Sequence, residues 1–138
     1  MSDYIAESKI EYKDKVRIKT SKDAYEIAKT LIQDNQKENF IGIYLNTKNE
    51  IIKSELIALG SLNFAPIHPR EVFKPAIINS ACNVIVIHNH PSGDVNPSRD
   101  DKEITQRLRD AGKILGIEVL DHIIIGDGYL SFKDREML

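Results

Sequence analysis

Apolar positions along this chain follow two periods. Phe40 to Leu45 and Ile51 to Leu59 read as strands at about 40–45 and 50–59, and Asn46-Thr47-Lys48-Asn49 between them has the composition of a hairpin turn. Val84-Ile85-Val86-Ile87 is an unbroken apolar run, which predicts a strand at 84–88 covered on both faces. Another strand is expected at about 117–125, turning at Gly126-Asp127-Gly128 into a short partner at 129–132.

Between these runs the period lengthens to that of a helix. Thr20 or Ser21 can cap a helix over about 22–33, with Ala24, Ile27, Ala28 and Leu31 on one face. A second helix is predicted from Pro69, packing Val72, Phe73, Ala76 and Ile77. Pro75 falls inside it. There it removes a backbone donor at a cost of roughly 3 kcal/mol, so the helix either kinks or starts again. A third helix over 98–115 aligns Ile104, Leu108, Ala111 and Leu115, and Gly116 is a natural left-handed stop. Residues 1–8 read as a loose lead, 9–19 as a strand and 59–68 as a loop with extended pieces. The order predicts one α/β domain over 1–138, a mixed β-sheet flanked by helices.

Composition narrows the class without naming a function. Apolar content of 41% and charged content of 29% are those of an ordinary globule. No run of about 18 apolar residues offers a membrane span, and the N-terminus lacks the apolar region of a signal peptide. The single cysteine, Cys82, precludes an internal disulfide and reads as a small core residue in a cytoplasmic protein. A net charge of −2 argues against a generic nucleic-acid binder, so DNA binding is expected to be weak or absent. Lys13, Lys15, Arg17 and Lys19 would share one face of the 9–19 strand. They could meet phosphates, but lysines guarding a strand edge explain them better.

The chemistry concentrates in HNHPSGDVNPSRDD, His88 to Asp101. Its skeleton is His-x-His, seven residues, Ser98, two residues, Asp101. His88 and His90 follow a buried strand and, two apart, can face one side while Asn89 faces the other. Asp101 would fall in the first turn of the next helix. Two imidazoles and a carboxylate can hold one metal ion and leave a coordination position open, as catalytic zinc sites do. The same set suits Fe(II). Without a metal, the histidines could simply be hydrogen-bonded, and Ser98-x-x-Asp101 is also a capping-box pattern. The adjacent letters His-Asn-His are not the scattered residues of an HNH nuclease.

This loop closely resembles the JAMM signature of the JAB/MPN metalloprotease superfamily, in its RadC-like branch. Glu38-Asn39-Phe40-Ile41 through Asn49, Gly60-Ser61-Leu62-Asn63, His68-Pro69-Arg70-Glu71-Val72-Phe73 and Val119-Leu120-Asp121-His122 resemble RadC-type segments as well, so the likeness covers about residues 20–135. It implies the JAB/MPN fold, similar to that of cytidine deaminases. It implies zinc held by His88, His90 and Asp101, with Ser98 supporting the tetrahedral intermediate. The general base would be a glutamate opening an earlier strand. Glu38 fits best, ahead of Glu55 and Glu71. The helix-hairpin-helix of longer RadC-type proteins has no counterpart in the 37 residues before Glu38.

The implied activity is zinc-dependent hydrolysis of a peptide or isopeptide bond in an unidentified peptide or protein substrate. The alternatives are a metal-dependent nuclease or DNA-repair accessory, a deaminase lacking its usual Cys ligands and His-x-Glu pattern, and a silent binding module. His68 and His122 read as structural. The sequence leaves substrate and oligomeric state open.

Overall fold

In the computed structural model of the chain, residues 15–60 and 67–138 are described. The first helix, α1 (Ser21–Lys29), opens on a complete capping box. Thr20 Oγ1 accepts from the Asp23 amide at 3.1 Å, and Asp23 Oδ2 accepts from the Thr20 amide at 3.1 Å. Strands β1 (Glu38–Leu45) and β2 (Ile51–Gly60) form the expected hairpin. Asn46 closes its turn, with Oδ1 accepting from the Lys48 and Glu50 amides. Helix α2 (Pro69–Ile78), strand β3 (Asn83–Asn89) and helix α3 (Arg99–Leu115) follow. Gly116 ends α3 at φ 74°. Strands β4 (Glu118–Gly126) and β5 (Gly128–Ser131) complete the chain.

The sheet order is β2-β1-β3-β4-β5. Among the described residues only the β3–β4 pair is parallel, and α3 makes its crossover. The result is the expected α/β architecture, a mixed five-stranded sheet flanked by helices. The period of two explains why one sequence serves two cores. Ile41, Ile43, Ile85, Ile87 and Ile123 point to the side covered by Ala24 and Ala28 of α1. Phe40, Tyr44, Val84, Val86 and Val119 point to the other, against Val72, Phe73 and Ala76 of α2 and Leu108 of α3. Tyr44 donates its hydroxyl to the Val72 carbonyl at 2.6 Å, tying α2 to β1.

Several expectations need correction. Helix α1 stops at Lys29, not 33. The Asn39 side chain takes over the backbone that would have continued it, accepting from the Gln33 amide and donating to the Asp34 carbonyl. Helix α2 does not start again at Pro75; it continues through that residue and ends at Ile78. Ile77 does not pack. It is 59% exposed, one residue round the helix from buried Ala76. Leu115, the last residue of α3, is 46% exposed. Cys82 is half-buried just before β3.

Of the expected 9–19 strand, residues 9–14, including Lys13, lie outside the described residues, as do 1–8. The remainder is a single bridge from Arg17 to Glu50. Lys15 sits at φ 55°, which breaks the alternation a shared basic face requires. Of the expected 59–68 loop, Leu59 and Gly60 belong to β2, and 61–66 lie outside the described residues. No described helix is long and apolar enough to cross a membrane.

Candidate metal centre

Strand β3 ends in polar residues whose directions are set by the pleat. His88 is buried on the α2–α3 side, opposite Phe40 of β1, with ring centroids 5.9 Å apart. Asn89 points the other way. Its Oδ1 accepts from the Asn39 amide at 2.7 Å and from Asn39 Nδ2 at 3.1 Å, while its Nδ2 donates to the Lys37 carbonyl at 2.9 Å. This clamp holds the start of β1, where Glu38 lies. His90, just past the strand, returns to the His88 side.

The loop that follows is fastened to β4. The His90 amide donates to the Ile125 carbonyl at 2.8 Å, and the Asp127 amide donates to the Gly93 carbonyl at 2.7 Å. Gly93 has φ 91°, and a Cβ there would meet the Asp127 carboxylate at 2.9 Å. A Cβ on Gly126 would collide with the Gly93 carbonyl. The loop thus delivers Ser98 to the N-cap of α3 and Asp101 to its first turn. Ser98 Oγ accepts from the Asp101 amide at 3.0 Å, and the Ser98 amide donates to Asp101 Oδ2 at 2.8 Å. The capping reading of this pair is therefore correct, and it also orients the carboxylate.

Three side chains converge. His88 Nε2 lies 3.0 Å from His90 Nε2 and 3.0 Å from Asp101 Oδ1, and His90 Nε2 lies 3.1 Å from Asp101 Oδ2. His90 Nδ1 lies 2.6 Å from the Asp94 carbonyl, which can only accept. The proton of neutral His90 is therefore on Nδ1, and Nε2 offers a lone pair. Two imidazoles and a carboxylate, one ligand atom each within 4.8 Å of one another, form a group that could hold a metal ion. This donor set fits a divalent cation. The hydrogen bond with Asp101 raises the His90 pKa, although burial opposes it. Burial also resists ionisation of Asp101, but His88 and His90 hold its carboxyl well below the usual carboxylate range.

Glu38 opens β1. Extending the Phe40–His88 register by two residues places it opposite His90. It is half-buried, and burial raises its pKa. The charges of His88 and His90 pull it down, and that of Asp101 pushes it further up. Glu55 lies elsewhere, paired with Gly42 midway along β2. Glu71 caps α2, its Oε1 accepting from the His68 amide at 2.8 Å.

Sequence reasoning undervalued His122. It is fully buried in β4, and burial keeps its pKa well below the ordinary histidine value. It touches the centre directly, with His122 Nε2 2.9 Å from His88 Nδ1 and His122 Nδ1 2.5 Å from Thr105 Oγ1. The ring stacks on Phe132 with centroids 4.6 Å apart. A signal was present: a polar residue inside Val119 to Ile125 demands a partner, and Thr105 lies one helical turn after Asp101.

Comparison with known proteins gives the chain a family. Residues 18–137 match the family model described as RadC-like JAB domain. A UPF0758 protein of Methanosarcina mazei is 52% identical over 122 residues, covering 88% of this chain and 53% of the relative. One from Shouchella clausii is 52% identical over 119 residues, 86% of this chain and 52% of the relative. One from Rubrobacter xylanophilus is 54% identical over 107 residues, 78% and 47%. The chain spans about half the length of these relatives.

Proposed function

The chain belongs to the RadC-like JAB domain family, and we propose that it is a zinc-dependent hydrolase of peptide or isopeptide bonds. One observation carries the reading: the convergence of His88, His90 and Asp101 beside a half-buried glutamate with a raised pKa. Zinc bound there would supply Lewis-acid polarisation and lower the pKa of a water toward about 7.

Each protein group has a part suited to amide hydrolysis. Glu38 is the proton carrier. Its raised pKa moves it toward the range in which one carboxylate can both take a proton and return it to a leaving amine. Ser98 supports the developing oxyanion. Its Oγ accepts from Asp101, and among the described residues nothing takes its hydroxyl proton, which leaves a donor at the mouth of the centre. A groove of about 940 Å³ on the Asn89 side, lined in part by Gln33, Asn35, Gln36 and Asp127, shares His90 with the centre but none of Glu38, His88, Ser98 or Asp101.

The test uses metal-loaded protein against a panel of peptides and isopeptide-linked conjugates. Cleavage should be abolished by chelator and restored by zinc. Glu38→Gln should keep the metal and lose rate by a factor on the order of 10² to 10⁴. Cleavage at the wild-type rate would place the base elsewhere. Phosphodiester cleavage without any amide cleavage would contradict the proposal.

A further inference from the structure

His122 does not face the cation site, yet both its ring nitrogens are committed. Thr105 Oγ1 carries one proton and donates it to the Asp101 carbonyl at 2.7 Å. Toward His122 it can therefore only accept, so the proton of neutral His122 lies on Nδ1, 2.5 Å away. A charge on His122 would be unpaired: its ring packs against Phe132 and Phe40, and the neighbouring Asp121 carboxylate is engaged by Ser131 and the amides of His122 and Lys133. His122 Nε2 then offers a lone pair to His88 Nδ1 at 2.9 Å. Two ring nitrogens at that distance need one proton between them, and it belongs to His88. In neutral His88, Nε2, which lies 3.0 Å from Asp101 Oδ1 and from His90 Nε2, is then left with its lone pair for a cation.

We propose that Thr105 and His122 are positioning residues that fix the tautomer of His88, and with it the donor state of the metal centre. The relay starts at the backbone carbonyl of Asp101 and ends at the atom facing the Asp101 carboxylate. A ligand residue on α3 thereby sets the proton position of a ligand residue on β3, by way of β4. The proposal rests on the metal-centre reading, but the proton positions can be read in the metal-free protein.

Removing the hydroxyl reverses the logic. In Thr105→Val the isosteric methyl neither donates nor accepts. His122 is then free to carry its proton on Nε2, donate it to His88 Nδ1 and move the His88 proton to Nε2, into the centre. Thr105→Ser keeps the relay.

The experiment is ring nitrogen NMR on chelated protein at mildly alkaline pH, followed by zinc affinity from competition with a chromophoric chelator. Wild type should show His88 and His122 protonated on Nδ1. Thr105→Val should show His88 shifted toward Nε2–H and a zinc affinity weakened on the order of 10- to 100-fold, while Thr105→Ser stays near wild type. A wild-type His88 with no proton on Nδ1, or a Thr105→Val protein that binds zinc like wild type, would overturn the relay. The expected proton pattern in a wild-type protein that binds no zinc would overturn the metal reading instead. The wild-type measurement needs no variant to fold.

Discussion

The two ends of the β3–β4 pair present one face to the same helices and fill it with different chemistry. At the first end Val84, Val86 and Val119 pack with Val72, Phe73 and Leu108, none of which carries a polar side-chain atom. At the second end the same face carries His88 and His122, linked through Thr105 to Asp101. No buried polar side-chain atom among the described residues is left unbonded. The difference lies in how each end fails. Lost volume at the apolar end leaves a void whose cost depends on local collapse. A lost hydrogen bond at the polar end redirects protons along the chain and reaches a group two residues away.

The largest effect on the apolar side should come from Leu108→Ala. Leu108 is fully buried on α3, two turns beyond Asp101. Its truncation should cost about 2–5 kcal/mol in denaturant unfolding of chelated protein, yet leave metal stoichiometry unchanged. Metal loss in the folded variant would show that the two ends are not separable.

On the polar side, Ser98→Ala should cost about 1 kcal/mol of stability as a lost cap. It should also slow turnover by a factor on the order of 10² to 10³ if Ser98 holds the oxyanion. A stability loss with turnover intact would reduce Ser98 to the cap alone.

A gentler probe is pH. Metal and proton compete for His90 Nε2, and the bond to Asp101 raises the His90 pKa above its ordinary 6.5. Competition should therefore begin on the alkaline side of 6.5. Zinc affinity should weaken about tenfold per pH unit as pH falls below the His90 pKa, because binding releases that proton. An affinity independent of pH across this window would mean that the ion displaces no proton from His90.

Much of the polar end was legible, because its rules are local. The pleat predicts that His88 and His90 share a side, and the Ser98–Asp101 spacing predicts the cap. The rest depended on contacts far apart in sequence. Helix α1 ends early because Asn39 captures the backbone of Gln33 and Asp34. His122 reads as structural because its apolar surroundings in sequence show that it needs a partner but not that the partner is His88, far away along the chain. Ile77 and Leu115 fit the apolar periodicity of their helices yet face outward, since the pattern marks a stripe without fixing its edges.

The central claim is that His88, His90 and Asp101 hold one divalent ion. Elemental analysis of protein purified without chelator tests it most directly, on wild type alongside His88→Ala and Asp101→Ala. Near-stoichiometric zinc in wild type, lost from both variants while circular dichroism shows them folded, is the predicted result. Full zinc retention in both variants would contradict it.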